Sequence, residues 1–468
     1  MGPSERPDDE RNQATGPPIV VTRGAIFALL GAAAVTGLVF FVLIALRPKT
    51  ERSADALPLP LLELKDVEDL GEPSTTWQGW RGHNGQGIAY ASNPPIEFGP
   101  DQNVVWKTDV PGEGLSSPVI WDDLLILTTS LQSDGETSLY LLAYSTTNGD
   151  EVWRTKVGSA EGPTHVKNGH ASATPILDHN AVYSFFGSTG LLRHDLATGD
   201  LVWRTDLGDL THRWGTAASP ILYEELVIQL CDSEKGSYLA AFDKQTGDQV
   251  WRTDRDYSGG CWSTPVLVNA DDDNGSRRME LIVNGSDEGG DGGAIRAYDP
   301  DTGNELWYVR STTQWVTPTP VIGPDRVISV SGRNGPIIAV RPGGNGDVAS
   351  TNLFWRHSQD GAYIPSPVSY RNRLFVLGDN GRLDCYNIGD GSRIWRIEPG
   401  RGSCTGSLVA GAGRLYYADE RGTVYVVAAD DEGQVLAQNQ FRERCLTTPA
   451  IVGDRIYLRT ESKLYCIE

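Results

Sequence analysis

A motif that recurs at intervals of roughly 40 to 60 residues constrains the fold of this chain more than any other feature of its sequence. Each copy has a Ser-Pro or Thr-Pro step, two strand-like runs, a Thr-Gly turn and a tryptophan four residues after that glycine. The clearest copies run from Ala241 to Trp251 and from Ala297 to Trp307. Self-similarity at such a period is typical of repeat architectures, propellers among them.

Eight copies can be counted from the Ser/Thr-Pro step, with Ser407-Leu408 standing where one proline is missing. The other steps are Ser117-Pro118, Thr174-Pro175, Ser219-Pro220, Thr264-Pro265, Thr319-Pro320, Ser366-Pro367 and Thr448-Pro449. Leu436 replaces the tryptophan in one copy. The tryptophans that we expect to dock on a neighbouring repeat are Trp106, Trp153, Trp203, Trp251, Trp307, Trp355 and Trp395.

The alternating and β-branched runs of each copy, separated by glycine turns, predict four short antiparallel strands. The eighth copy ends at Glu468 without a last strand, whereas Asn103 to Asp109 resembles the last strand of the first copy. The sequence therefore predicts an all-β, eight-bladed propeller of four-stranded antiparallel blades, with the N-terminal strand closing the last blade. The early prolines suit inner strands whose edges face a central channel.

A membrane anchor is predicted before the propeller. Gly24 to Leu46 is uncharged, apolar and long enough to span a bilayer. A cleaved signal peptide is the alternative, but the run exceeds a typical signal core, and Arg47 and Lys49 follow at once. We predict a short tail (1–23), one transmembrane helix (24–46), a linker (47–76) and a propeller (77–468). Basic residues flank the span on both sides, so charge alone does not favour a cytoplasmic N-terminus.

The pattern Ala-x-Asp-x-x-Thr-Gly-x-x-x-Trp, complete in the copies ending at Trp251 and Trp307, resembles the docking motif of pyrroloquinoline-quinone (PQQ)-type eight-bladed propellers. The resemblance covers about Trp77 to Glu468. It implies export, and hence a single-pass protein of a bacterial plasma membrane with its propeller in the periplasm. It also implies two kinds of function, that of PQQ-dependent oxidoreductases and that of scaffolds like the outer-membrane assembly factor BamB.

The residues favour the scaffold. PQQ-dependent alcohol dehydrogenases carry adjacent cysteines at the cofactor and acidic calcium ligands, and this sequence has no adjacent cysteines. We therefore predict no catalytic residue, cofactor or metal. The net charge of −21 argues against nucleic-acid binding. The predicted function is that of a monomeric, membrane-tethered scaffold for another envelope protein, with a PQQ-dependent oxidoreductase and a ligand-sensing ectodomain as alternatives.

Loops that enter the inner strands share one face, where propeller ligands usually bind. Aromatic and basic residues recur in these loops and predict a site for an anionic or planar ligand or for a protein segment. Alternatively, the arginines pair with local acids and the tryptophans cap the blades. The candidate residues are His165, His170, His212, Arg213, Trp214, Trp262, Trp315, Tyr363, Arg401 and Arg444.

Overall fold

The computed structural model of the protein describes residues 75–255, 260–271, 275–287 and 292–468. These residues form eight sheets, each built on four antiparallel strands and three of them extended by one short strand, and so confirm the predicted eight-bladed propeller. Across the described ranges, no helix is both long and apolar enough to cross a membrane. The predicted span Gly24 to Leu46 lies outside those ranges.

Blades 1 to 4 follow one another along the chain, each from its inner to its outer strand. Blade 1 contains Val119–Trp121, Leu124–Ser133, Glu136–Ser145 and Glu151–Ala160. Blade 2 contains Ile176–Asp178, Ala181–Phe185, Leu191–Asp195 and Leu201–Thr205. Blade 3 contains Ile221–Tyr223, Leu226–Cys231, Tyr238–Asp243 and Gln249–Asp254. Blade 4 contains Val266–Asp271, Arg277–Ser286, Gly293–Tyr298 and Glu305–Thr312, with Gly346–Asp347 added in parallel at its outer edge.

Blades 5 to 8 repeat this arrangement, and the short helical turns His83–Gly85, Gly187–Thr189 and Ala349–Asn352 lie between strands. Blade 5 contains Val321–Ile322, Val327–Val330, Ile337–Val340 and Leu353–His357. Blade 6 contains Val368–Tyr370, Arg373–Leu377, Leu383–Asn387 and Arg393–Ile397. Blade 7 contains Val409–Gly411, Arg414–Ala418, Thr423–Ala428 and Val435–Gln440. Blade 8 contains Ala450–Val452, Arg455–Arg459, Lys463–Ile467 and the N-terminal strand Val104–Asp109.

The N-terminal strand closes the ring as predicted. It pairs antiparallel with Lys463–Ile467 and sets Trp106 opposite Cys466. The Trp106 indole then crosses to blade 1, where Nε1 donates to the Thr146 carbonyl oxygen at 2.9 Å. Its ring lies against Gly149, which has a φ of +75°, and a Cβ there would come within 2.5 Å of the indole. The contact therefore requires glycine both for its backbone conformation and for space.

The same docking joins most neighbouring blades. Trp153, Trp203, Trp251, Trp355 and Trp395 each donate from Nε1 to a carbonyl oxygen in the turn of the next blade. Trp307 differs, since its Nε1 donates to the buried Glu280 carboxylate at 2.7 Å. In blade 5, a longer segment around Gly346–Asp347, paired with blade 4, takes the place of the usual turn. Burial raises the pKa of Glu280.

The Ser/Thr-Pro steps form a second set of links, around the channel. In six places, the backbone N–H of one step donates to the hydroxyl of the next blade's step, at 2.9–3.1 Å. Thr319 is bonded differently, because its hydroxyl accepts from the Trp80 indole at 3.1 Å. We call the eight Ser/Thr side chains of these steps the hydroxyl ring. The recurring hydroxyl therefore links neighbouring blades at six junctions of the ring.

The N-terminal segment 76–89 covers edges of the inner strands. The prolines of those strands predict that these edges face an open channel, so the covering segment is a difference from the prediction. Backbone and side-chain groups of this segment bond to the inner strands of blades 1, 2, 4, 5 and 7. Arg81 is fully buried and donates to the carbonyl oxygens of Pro367 and Leu408. Burial without a carboxylate partner lowers the pKa of Arg81 to about 9. The segment therefore plugs one end of the channel.

All six cysteines are buried, and none forms a disulfide. Cys385 pairs across the strands with Trp395, and Cys466 pairs with Trp106, just as Ala241 pairs with Trp251. These two thiols therefore occupy the small-residue position of the repeat. Burial raises the pKa of Cys445 to about 11, so this thiol is protonated at neutral pH.

Candidate functional site

The open end of the channel contains a cavity of about 250 Å³, which we call the well. Its floor is Trp80 and its wall is formed by the hydroxyl ring, while loop residues surround its entrance. Among the residues that line it are Trp80, His165, Lys167, Asn168, Trp214, Trp262, Arg333, Tyr363 and six members of the hydroxyl ring: Ser219, Thr264, Thr319, Ser366, Ser407 and Thr448.

An aromatic cluster forms one side of the entrance. The Trp214 ring lies 5.8 Å from Trp262 and 5.2 Å from Trp315, the latter edge-on. His212 is buried behind them, 4.8 Å from Trp262. Hydrogen bonds tie the loops together, because Trp262 Nε1 donates to the Gly215 carbonyl oxygen at 2.7 Å. The cluster is therefore built from three consecutive blade-to-blade loops and held in place before any ligand binds.

Cationic side chains surround this cluster. Lys167 reaches Glu420 of blade 7 at 2.6 Å, so an ion pair extends from the loop between blades 1 and 2 to a distant blade. Arg213 pairs with Glu234 at 2.6 Å. Arg333 lies 4.9 Å over the Tyr363 ring and takes part in no ion pair among the described residues. The alternative interpretation, local pairing of loop arginines, thus holds for Arg213.

The structure brings most of the ten candidates together. His165, Trp214, Trp262 and Tyr363 line the well. A second group of candidates contacts them or their loops from outside: His212, Arg213, Trp315 and Arg444. His170 and Arg401 do not line the well. Burial lowers the pKa of His170, and a hydrogen bond that the ring donates to the Gly162 backbone opposes this shift. Whether any of the ten binds a ligand stays a prediction.

The sequence argument missed Arg333 and the acids behind the entrance. It considered only loops that enter the inner strands, whereas hairpins between second and third strands end at the same side of an antiparallel blade. Arg333 lies on such a hairpin in blade 5. Asp379 lies on the hairpin of blade 6, where it accepts the backbone N–H groups of Tyr363 and Ile364 at 2.8 and 3.0 Å. Burial raises the pKa of Asp379.

The polar groups of the well are mainly hydrogen-bond donors. Nδ1 of His165 accepts the backbone N–H of Lys167 at 3.1 Å, so a neutral His165 ring carries its proton on Nε2. Lys167 and Arg333 are cations. Among the residues that the structure describes, no aspartate or glutamate lines the well. A calcium-assisted quinone would need carboxylate ligands for the metal, so the donor set of the well does not fit that group.

A closed ring of eight four-stranded blades joined by tryptophan docking has the architecture of the PQQ-like propellers. The family profile described as "Outer membrane protein assembly factor BamB" matches residues 99–218, 141–275, 291–411 and 379–466. These matches cover most of the chain, and the protein therefore belongs to this family. A curated relative, the outer membrane protein assembly factor BamB of Yersinia pestis, is 22% identical over 336 residues, 65% of this chain and 76% of the relative.

Solved structures share the fold. BamB from Moraxella catarrhalis has a TM-score of 0.55 at 15% identity, covering 78% of this chain and 96% of that one. A europium-containing methanol dehydrogenase has a TM-score of 0.64 at 12% identity, covering 85% and 98%. The quinohemoprotein alcohol dehydrogenase from Comamonas testosteroni has a TM-score of 0.62 at 12% identity, covering 84% and 80%. At these identities the likeness concerns the fold alone, so function has to be argued from the site.

Proposed function

We propose that the protein is a non-enzymatic, membrane-tethered scaffold that binds another envelope protein through the face around the well. The observation that carries the proposal is the preformed aromatic cluster at the entrance, flanked by cations in a chain of net charge −21. Tryptophan, tyrosine and arginine are the residues that most often dominate protein interfaces. Rigid loops on a closed ring also present such side chains without an ordering cost.

Exposed apolar side chains on this face support a protein partner. Val166 is 73% exposed at the tip of its loop, and Trp315 is 36% exposed. Arg444 donates to the Val166 carbonyl oxygen at 3.2 Å, so the loop is held in position. An apolar centre with a charged rim is the usual anatomy of a protein interface. The candidates Trp214, Trp262, Trp315 and Tyr363 would form that centre.

The family supports a partner in the outer-membrane assembly machinery, because the relatives are named for that role. A tether at Gly24 to Leu46 would hold the propeller at the plasma membrane, on its periplasmic side. A phosphatase reporter that is active only outside the cytoplasm, fused after Glu468, tests the orientation. Activity supports the proposal, and an inactive but stably produced fusion contradicts it.

Site-specific photocrosslinking tests the binding face. A benzoylphenylalanine at Trp315 of the full chain, in its own host, is expected to crosslink a protein of outer-membrane assembly. Val250, which is 53% exposed on the outer strand of blade 3, is the matched control, since it is apolar and accessible but far from the well. Equal crosslinking of one partner from both positions, or none from position 315, would refute the proposed face.

The quinoprotein alternative rests on the shared fold with the two dehydrogenases. The described lining of the well contains cations and no carboxylate, which argues against a calcium–PQQ pair. Titration of the purified protein with PQQ and calcium distinguishes the two functions. We expect no saturable binding at micromolar PQQ and no dye reduction with alcohols, and either signal would favour the oxidoreductase.

A further inference from the structure

The hydroxyl ring presents unused hydrogen-bond donors to the well. Each of its six lining hydroxyls already accepts a hydrogen bond, from a backbone N–H or, at Thr319, from Trp80. None of the six donates to another group in the described part of the chain. A hydroxyl can donate one proton while it accepts. Six O–H protons are therefore available to a bound acceptor inside the well.

The charged groups of the well also favour a hydrogen-bond acceptor. Arg333 brings positive charge to the entrance without an ion-pair partner among the described residues, whereas Glu420, which lies outside the lining, compensates the charge of Lys167. A buried acceptor facing several donors is stabilised most strongly when it carries negative charge, because charge-assisted hydrogen bonds are roughly twice as strong as neutral ones. The well is therefore complementary to an anion with several acceptor positions.

The size of the well limits what can enter. Its volume of about 250 Å³ corresponds to roughly eight water molecules at about 30 Å³ each. Small-molecule sites typically range from about 300 to 1,000 Å³, so this one is small. The Trp80 floor and the Trp214 and Tyr363 walls suit apolar atoms next to the anion. One side chain, or a chain terminus with its last side chain, fits this description.

We propose that the well receives a carboxylate from an extended segment of the partner, either an acidic side chain or a C-terminal carboxylate. This inference rests on the proposed function and names the chemistry that the partner must present. Arg333 would attract and bind the carboxylate, and the hydroxyl ring would donate hydrogen bonds to it in place of water. The aromatic side chains of Trp214, Trp262 and Tyr363 would contact the apolar part of the same segment.

Four short peptides test the inference on the full chain purified in detergent. The first pair, acetyl-Gly-Phe-Asp-amide and acetyl-Gly-Phe-Asn-amide, differs only in a side-chain carboxylate. The second pair, acetyl-Gly-Phe-Ala with a free and with an amidated C-terminus, differs only in a terminal carboxylate. Calorimetry is expected to show about tenfold tighter binding for the carboxylate member of at least one pair. The pair that discriminates identifies the source of the carboxylate.

Two variants locate the interaction. Arg333→Gln removes the unpaired cation and is expected to abolish the preference for the carboxylate. Arg356→Gln is the matched control, because Arg356 is exposed on the outer strand of the same blade and does not line the well. Equal affinities within both pairs, no binding of any peptide, or an equal loss in both variants would overturn the inference. If the peptide experiment fails but position 315 still crosslinks a partner, the proposed scaffold function stands and only the carboxylate inference is refuted. If the peptides discriminate but position 315 crosslinks no partner, only the proposed scaffold function is refuted.

Discussion

The Trp80 indole donates a hydrogen bond to the Thr319 hydroxyl at 3.1 Å, although 239 positions separate the two residues. This bond joins the N-terminal plug to the hydroxyl ring. Trp80 also forms the floor of the well, so the depth of the candidate site depends on where the plug is seated. The stability of the plug and the shape of the site should therefore change together.

Substitutions of Trp80 test this coupling. Trp80→Phe removes the N–H but keeps an aromatic floor, and should lower the free energy of unfolding by about 1 kcal/mol. Trp80→Ala also removes packing and should cost about 3–5 kcal/mol. Urea unfolding of both proteins measures the difference. Equal losses in the two variants would show that the ring itself contributes nothing to seating the plug.

Closure of the ring should depend on Gly149. Gly149→Ala places a Cβ about 2.5 Å from the Trp106 indole in a backbone with a φ of +75°, so both a clash and strain result. Gly236→Ala is the control, because Gly236 has a φ of +70° and nothing within 4 Å of the added Cβ. We expect the control to lose about 1 kcal/mol and Gly149→Ala to lose at least about 2 kcal/mol more. Thermal unfolding compares them, and equal melting temperatures would contradict the closing role of Trp106.

Each hydrogen bond of the hydroxyl ring should make its own contribution to the free energy of unfolding. Thr448→Val keeps the shape of the side chain but leaves the buried N–H of Ser407 without its acceptor at 2.9 Å. The expected loss is about 1–3 kcal/mol, because an unsatisfied buried donor is costly. Thr147→Val, at an exposed turn, should change stability by less than about 0.5 kcal/mol. If Thr448→Val leaves the free energy of unfolding unchanged in a denaturant titration, the hydrogen bonds between blades contribute little to stability.

His194 should make stability depend on pH. It is buried in blade 2, and burial, with a smaller contribution from Arg204, lowers its pKa from 6.5 to about 4. The folded protein thus holds His194 neutral, whereas the unfolded chain protonates it below about pH 6.5. The contribution is fully present above pH 6.5 and is lost as the pH falls towards 4, on the order of 3 kcal/mol in total.

His194→Phe removes the titratable group and with it this pH dependence. The position should accept a phenylalanine, because Phe242 occupies the equivalent strand position in blade 3. Urea unfolding between pH 4 and pH 7 should show a shallower decline for the variant than for the parent. Identical slopes would mean that other groups cause the acid sensitivity.

Local sequence determined the ring. The blade count, the four strands of each blade and the closing strand follow from repeated turns and alternating side chains, which act within one hairpin. The small-residue role of Cys385 and Cys466 follows in the same way, since equivalent positions of a repeat share one environment. The glycines of the Thr-Gly turns are required locally too, because they adopt a positive φ.

The tertiary structure decided the site. Arg333 meets Tyr363, and Lys167 meets Glu420, only because curved stacking of the blades brings hairpins from different repeats to one entrance. A local sequence pattern likewise could not predict the plug, since Trp80 and Arg81 form hydrogen bonds with residues more than 200 positions away in the sequence. Periodicity reports contacts within a repeat and between adjacent repeats. Contacts across the ring depend on its closure, and this is why the sequence alone predicted the fold but only part of the candidate site.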